Sequence, residues 1–573
     1  MADITDTTKG ARAGWRAPRF DWTLAVFILL AVLLVILIVS PLSRLVIESF
    51  SDPKTGEFTF GNFAEVFSRK RYLTAYWHTL QLAAVTVVMS VFMALPMAFA
   101  VSRTDTPGRG LMYFAVLGAF IVPPFLGAIG WILLAGPNAG WINQVWTSLT
   151  GSEEPLFNIF SMWGLAFVIA LNVFPLIFIF ATSAFDLISS EMEEAAAIHG
   201  AGPMRTTWLI TLPLALPAIL GASMLVFLET IALYGTPALI AIPARFNVAT
   251  TQLTTFFEYP ARIELAMAFS VPMVLITVLL LAAQRLMLRG GTVAVSGKGG
   301  AREPMKIGRW KWLFLGHGVI VALLAVVLPA AILVTTSFSV AWAKPFSFGN
   351  LTLANYREVL FEQETMRNAL MNTIQVSLSG ATICTVMGFV LAYMIVRKLV
   401  PLAPVLAFLS VAPVAVPGIV LAICFYAAYA GPPLSLYGSS LLIIIAFVTR
   451  FLPIAFVSCA SGVRSMNPEL EEAVRIHGGG RFRALAEVVA PVLKKSLMGV
   501  WILVFVICSR ELSTAMFLSS YQNRVISILT LDLSEQGEYE MLAAMGVVLL
   551  VITTSVVAIG IRMLGRDFML RRN

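Results

Sequence analysis

The chain has 573 residues, 59% of them hydrophobic and only 12% charged, with a formal net charge of +8. That balance excludes a soluble globular protein. Because the basic residues sit in short stretches beside apolar runs, it also argues against a nucleic-acid partner.

Lys9, Arg12, Arg16 and Arg19 precede an apolar run from about Trp22 to Val39. The run is too long for a signal peptide and no small-x-small cleavage site follows, so it is expected to stay as a first transmembrane helix entered from the cytoplasm. Apolar blocks of about 20 residues place spans near 22–46, 76–102, 110–135, 158–183, 214–235 and 264–288, then near 311–338, 370–396, 402–430, 438–462, 496–516 and 541–562. The expected fold is an all-α polytopic membrane protein with about 12 transmembrane helices embedded in a lipid bilayer. Both termini then lie on one side, and the excess of Lys and Arg in the tails and loops of that side makes it the cytoplasm. Pro123 with Pro124, and Pro413 with Pro417, are expected to bend the third and ninth spans. Cys384, Cys424, Cys459 and Cys508 lie within spans without Cys-x-x-Cys spacing and read as small core residues.

The halves repeat in parallel. HTLQLA at His78 matches NTIQVS at Asn372, and MAFAVSRT at Met97 matches LAYMIVRK at Leu391, both at an offset of 294. Further on, EMEEAAAIHGAG at Glu191 matches ELEEAVRIHGGG at Glu469 at an offset of 278, which locates an insertion between about Pro137 and Asn158. The expected division is a first six-helix repeat over 1–289, a Gly- and Ser-rich cytoplasmic linker over 290–306, and a second six-helix repeat over 307–573.

The acidic segments fall in the longest cytoplasmic loop of each half, near 186–213 and 464–491. Ser190 with Glu193 can form a capping box, Asn467 can cap with Pro468 at the first helical position, and Gly200 and Gly478 stop the helices. Pro213 and Pro491 mark the return to the membrane. An ordinary amphipathic surface helix is one reading of such a segment; two copies placed symmetrically point to a symmetric partner. His199 and His477 each stand beside Gly with no second ligand at helical spacing, so packing or capping is favoured over metal binding.

At these loops the chain resembles the membrane subunits of binding-protein-dependent ABC importers. Their signature reads here Glu194, Ala195, Ala196, Gly200, Ile210, Leu212 and Pro213; the second copy keeps Glu472, Ala473, Gly478 and Pro491 but has Val474, Val488 and Ala490. The resemblance implies that Glu193, Glu194, Ala195, Ala196, His199, Gly200 and Gly202, and likewise Glu471, Glu472, Ala473, His477, Gly478 and Gly480, form loops coupling the permease to two copies of an ATP-binding subunit, with an extracytoplasmic solute-binding protein on the other face. It implies a bacterial cytoplasmic (inner) membrane location. ATP and Mg belong to the partner, and no cofactor or tightly held metal is expected on this chain. The fused form, ELSTAMFLSS from Glu511 and the late GEYEMLAAMGVVLLVITTS resemble permeases for ferric iron and thiamine, a group that also serves phosphonates and other small charged solutes.

An ATPase needs G-x-x-x-x-G-K-[ST]; TVAVSGKGG has Thr292 and Gly299 in place of the first Gly and the Ser or Thr, so the chain is expected to be a transport subunit and not an enzyme. An ion-gradient-driven secondary transporter is the rival class, but it has no reason to carry two coupling loops. Ionisable residues in spans face a cavity or a partner. Glu229 and Glu511 are expected at matched positions in the fifth span of each half, with Arg510 beside Glu511 and Arg450 opposite Asn172 in the repeat. They either line a polar translocation path or form a packing ion pair, Arg450 with Glu511.

Overall fold

The computed structural model describes residues 22–290, 304–344 and 347–564. Among the described residues there is no strand, only three isolated bridges. Nine helices are long and apolar enough to cross a membrane, or twelve when each sharply bent pair counts as one span. The spans recur in the expected order, from Thr23–Ser49 to Tyr539–Met563.

The third and ninth spans depart furthest from straight rods. Arg109–Ile121 meets Pro124–Ala135 at 103°, and Ala403–Ala415 meets Gly418–Tyr429 at 111°. Proline supplies the reason, since it lacks an amide donor and clashes with the preceding turn. The eleventh span also breaks, by 76° between Arg481–Val492 and Lys494–Ser509, whereas its counterpart Pro203–Ala232 is continuous. A π turn at Leu485–Val489 precedes Pro491 just ahead of that break, and proline acts more gently elsewhere: π turns at Val35–Val39, Thr207–Thr211 and Leu323–Val327 each end two residues before Pro41, Pro213 or Pro329. One wider turn absorbs the missing hydrogen bond without stopping the helix.

Each half begins with a span that packs on the other half. Thr449 Oγ1 donates to the Leu37 carbonyl at 3.2 Å, and the Tyr429 hydroxyl donates to the Ile36 carbonyl. In the reverse sense, His317 Nε2 lies 3.0 Å from the Met93 carbonyl, and a Cβ on Gly130 would stand 2.9 Å from Pro329 Cβ. A small residue is needed there because helices in lipid associate through close backbone approach.

The repeat extends to single hydrogen bonds. Thr79 Oγ1 accepts from the Ala249 amide at 2.7 Å, and Thr373 Oγ1 from the Ile526 amide at 2.8 Å. The insertion in the first half is a helix, Trp141–Thr150, tied to the second half by Trp141 Nε1 to the Trp342 carbonyl at 3.3 Å. Most of the 290–306 linker lies outside the described residues. Its end is held on the first half, where the Met305 amide donates to the Arg103 carbonyl at 2.8 Å and the Asp105 amide donates to the Met305 carbonyl at 3.1 Å. All four cysteines are buried.

Candidate functional site

The repeated acidic segments form two short helices, Ser190–Ile198 and Glu469–Ile476. Ser189 Oγ accepts the Glu191 amide at 3.2 Å and Asn467 Oδ1 accepts the Glu469 amide at 3.2 Å, so each start is held by a local turn. The side chain of Ser190, expected to cap the first helix, lies outside the described residues. Both helices end alike. Gly200 and Gly478 take φ of +78° and +79°, and the amides of Ala201 and Gly479 close back onto the Ala196 and Val474 carbonyls, each at 2.9 Å. That left-handed closure requires Gly.

The two acids of each segment diverge. Glu194 and Glu472 are exposed, as are Ala195, Ala473, His199, His477, Gly202 and Gly480. Glu193 and Glu471 turn inward instead. Arg397 Nε donates to Glu471 Oε1 at 2.7 Å, Tyr393 Oη donates to Oε2 at 3.0 Å, and Arg397 Nη2 donates to the Met466 carbonyl at 3.2 Å. In the first half Arg103 Nη1 lies 3.4 Å from Glu193 Oε1, and the same arginine donates to the Phe185 and Ile188 carbonyls. Glu193 also accepts from Thr211 Oγ1 at 2.8 Å. Glu193 and Glu471, which the sequence grouped with Glu194 and Glu472 as coupling residues, are thus internal ties.

Around the exposed acids stand apolar side chains in matched pairs: Met192 and Leu470, Ile198 and Ile476, Met204 and Phe482. Ile198 and Ile476 are 84% and 82% exposed, each on a loop helix that carries further exposed apolar side chains, and such a grouping suits a protein contact. His477 Nδ1 lies 2.9 Å from the Ala473 carbonyl one turn back, a local capping contact.

The charged residues of the spans form a second group. Arg450 Nε and Glu511 Oε2 are 3.6 Å apart, with side chains 17% and 11% exposed. Glu511 Oε1 also accepts from the Thr514 amide and hydroxyl at 2.8 and 3.0 Å. Arg450 Nη1 reaches the Val416 carbonyl at 3.4 Å, and its repeat counterpart Asn172 donates to the Val122 carbonyl at 3.2 Å. Both therefore serve the carbonyl freed where the third or ninth span breaks, which backbone at that depth requires. Gly418 makes room for the longer side chain, since a Cβ there would stand 2.7 Å from Arg450 Cζ. Arg510 crosses between the halves: it donates to the Phe120 carbonyl, its guanidinium lies 4.7 Å from the Phe120 ring centre, and Glu229 and Glu511 are both in electrostatic reach.

Glu229 and Glu511 do not occupy matched positions. Glu229 sits inside its helix, which ends at Ala232, whereas Glu511 follows the end of its helix at Ser509. At the offset of 278 that aligns the loop helices, Ile507 stands opposite Glu229 and Leu233 opposite Glu511. The structure separates them further, leaving Glu229 exposed and Glu511 paired.

Sequence reasoning missed Arg103 and Arg397. The signal was present, because MAFAVSRT and LAYMIVRK both end near an arginine. A basic residue at the end of a span is also what topology accounts for, and that meaning hid the other.

The model of the family described as binding-protein-dependent transport system inner membrane component matches residues 72–290 and again 366–566. The ferric transport system permease protein FbpB of Actinobacillus pleuropneumoniae is 27% identical over 509 residues, covering 87% of this chain and 71% of the relative. A putative ferric transport system permease protein, FbpB 1 of Haemophilus influenzae, is 26% identical over 517 residues, covering 88% and 79%. Among solved structures, a bacterial ABC transporter involved in importing the acidic polysaccharide alginate aligns at 16% identity and a TM-score of 0.37, over 47% of this chain and 96% of that one.

Proposed function

The chain belongs to the family of binding-protein-dependent transport system inner membrane components, and on that premise we propose that it is the fused permease of an ATP-driven importer whose cargo is ferric iron. The observation that carries the importer role is the pair of matched loop helices, one per half, each presenting an exposed acid and an exposed isoleucine. Support for iron comes from ferric permeases similar along most of the chain.

In this reading each loop helix docks on one of two ATP-binding subunits at the cytoplasmic face, where ATP and Mg are bound. Ile198 and Ile476 enter apolar pockets of those subunits, Glu194 and Glu472 meet basic residues beside them, and Ala195 and Ala473 allow close approach. Closure of the ATP-binding pair then moves the attached spans as rigid bodies. Both termini face the cytoplasm, and an extracytoplasmic binding protein delivers the cargo to the outer side.

Within the membrane, Glu229 is the acid available to a passing cation, because Glu511 is engaged by Arg450 and Thr514. A hard, highly charged cation prefers carboxylate oxygen. Arg510, held on the Phe120 carbonyl, joins the two halves beside that acid. Binding there is weak, because an importer must release what it admits.

The test is uptake by proteoliposomes containing the permease, its ATP-binding subunits and its binding protein. ATP-dependent accumulation of ferric ion, competed by gallium(III) and not by thiamine or a phosphonate, supports the proposal. Uptake driven by an ion gradient without ATP would return the chain to the secondary-transporter class, and competition by thiamine or phosphonate would reassign the cargo.

A further inference from the structure

Each loop helix is tied to the span that lies two before its loop, through a matched arginine and glutamate in both halves: an ion pair of 3.4 Å in the first and a hydrogen bond of 2.7 Å in the second. Arg103 ends the second span, Lys70–Arg103, and Arg397 follows the end of the eighth, Glu364–Val396. They match at the offset of 294, and their partners Glu193 and Glu471 match at 278. The guanidinium in each half does two things at once: it meets the inward carboxylate of the loop helix, and it donates to carbonyls at the end of the fourth or tenth span, Phe185 and Ile188 or Met466. Arg103 is 1% exposed. A salt bridge whose only task is topology has no need of such burial, and an arginine that meets a carboxylate on one element and a carbonyl on another fixes their mutual orientation.

We infer that Arg103 and Arg397 are positioning residues that make each loop helix move as one body with the second or eighth span. The inference rests on the assignment of the loop helices as the contacts of the ATP-binding subunits. A helix joined to the membrane only through its flanking chain would pivot at Gly200 or Gly478 when pushed, and the push would be lost in the loop. The arginine removes that freedom by bonding the first turn of the loop helix and the end of the preceding span to a third element. The third element carries the motion inward, because the second and eighth spans pack along much of their length on the fourth and tenth.

The halves differ in how many spans they recruit. Glu193 also accepts from Thr211 on the fifth span, whereas Glu471 takes its second bond from Tyr393, on the same span side as Arg397. The counterpart of Thr211 is Val489, which has no hydroxyl. The first loop helix is thus bonded to the second span and also back onto the fifth span that follows it, and the second loop helix to the eighth span alone, so the second half depends more heavily on its arginine.

The experiment uses the full importer with its ATP-binding subunits and ferric-loaded binding protein, and reads the number of ferric ions carried per ATP hydrolysed. Removing one charge alone leaves the other buried and unpaired, which destabilises the fold. The informative variant is therefore the double change Arg397→Gln with Glu471→Gln, which neutralises both partners together. Ions carried per ATP should fall by about tenfold in this variant, while the ATP-binding subunits still copurify and the melting temperature of the complex stays near that of the parent. Arg397→Lys, which keeps the charge and loses the fork, should give an intermediate ratio. The corresponding Arg103→Gln with Glu193→Gln should show a smaller fall, because the side-chain carbonyl that replaces the carboxylate can still accept from Thr211. A full parental ratio in the Arg397 double variant, or in Arg397→Lys together with it, overturns the inference. Ile476→Asp separates this outcome from failure of the underlying assignment: if it too leaves copurification and transport intact, the loop helices are not the contact, and if it abolishes copurification while the double variant transports normally, only the role of the arginines falls.

Discussion

Phe257 of the first half stacks on Phe517 of the second, with ring centroids 4.0 Å apart and planes 29° from parallel, and Tyr426 meets Phe257 nearly edge-on at 6.0 Å. These rings join the halves near the start of the sixth span, and in the proposed importer they would hold the end opposite the loop helices shut. Aromatic pairs of this kind contribute about 1 kcal/mol beyond area burial. Phe257→Ala is expected to raise ATP hydrolysis in the absence of binding protein several-fold, because the closed state is less favoured. Unchanged hydrolysis would show that the stack does not hold the entrance shut.

The two span acids now carry different expectations. Glu229→Gln should lower ferric uptake while the complex assembles and melts as the parent does. Glu511→Ala should act on the fold first, since it leaves Arg450 buried without its partner, at a cost of about 3 kcal/mol. Thermal unfolding of both variants beside uptake decides the matter; normal uptake by Glu229→Gln would make that acid irrelevant to the path.

On the loop helices, Glu472→Arg and Ile476→Asp each change an exposed residue, so neither should disturb insertion. Both should reduce copurification of the ATP-binding subunits, with the double change Glu194→Arg and Glu472→Arg losing it altogether. If that double reversal assembled and transported normally, the coupling assignment would be removed.

The ion pair between Arg262 and Glu65 gives a pH signature. Arg262 binds Glu65 through two bonds, of 2.8 and 2.5 Å, and this hydrogen bonding, ahead of its charge, holds the Glu65 carboxyl below the ordinary value of 4.5. A depressed carboxyl stabilises the fold at pH above its unfolded value, and the benefit is lost as pH falls through the folded one. Both side chains are partly exposed, so solvent screening keeps the contribution to roughly 1 kcal/mol or less. The Tm difference between the parent and Glu65→Gln should be present at pH 7 and shrink below pH 4.5; a difference independent of pH would assign it to packing.

How much of this was legible in the sequence depended on whether a residue had a neighbour in sequence to explain it. The loop helices could be read because Gly200 and Gly478 stop them locally, and the spans because apolar length is a local property. The ties of Arg103 and Arg397 are non-local, joining residues roughly 80 positions apart in sequence. The matched placement of Glu229 and Glu511 failed for a related reason: two glutamates in similar text look alike until a helix end is located between them, at Ala232 in one half and Ser509 in the other. The sharp breaks of the third and ninth spans were half-legible, since proline announces a bend but not an angle.

The reciprocal placement of the first spans changes what the single polypeptide is for. The leading span of each half packs on both halves, reaching across through Thr449 and Leu37 on one side and His317 and Met93 on the other. Severing the chain between 291 and 303 would therefore yield two fragments that stay clasped, each unable to diffuse away without surrendering its own leading helix. Continuity of the chain guarantees that the two unlike halves are made in equal number and that neither finds a second copy of itself as a mate; cohesion of the finished permease is shared between the exchange and the contacts of Arg510 with Phe120 and of Phe257 with Phe517.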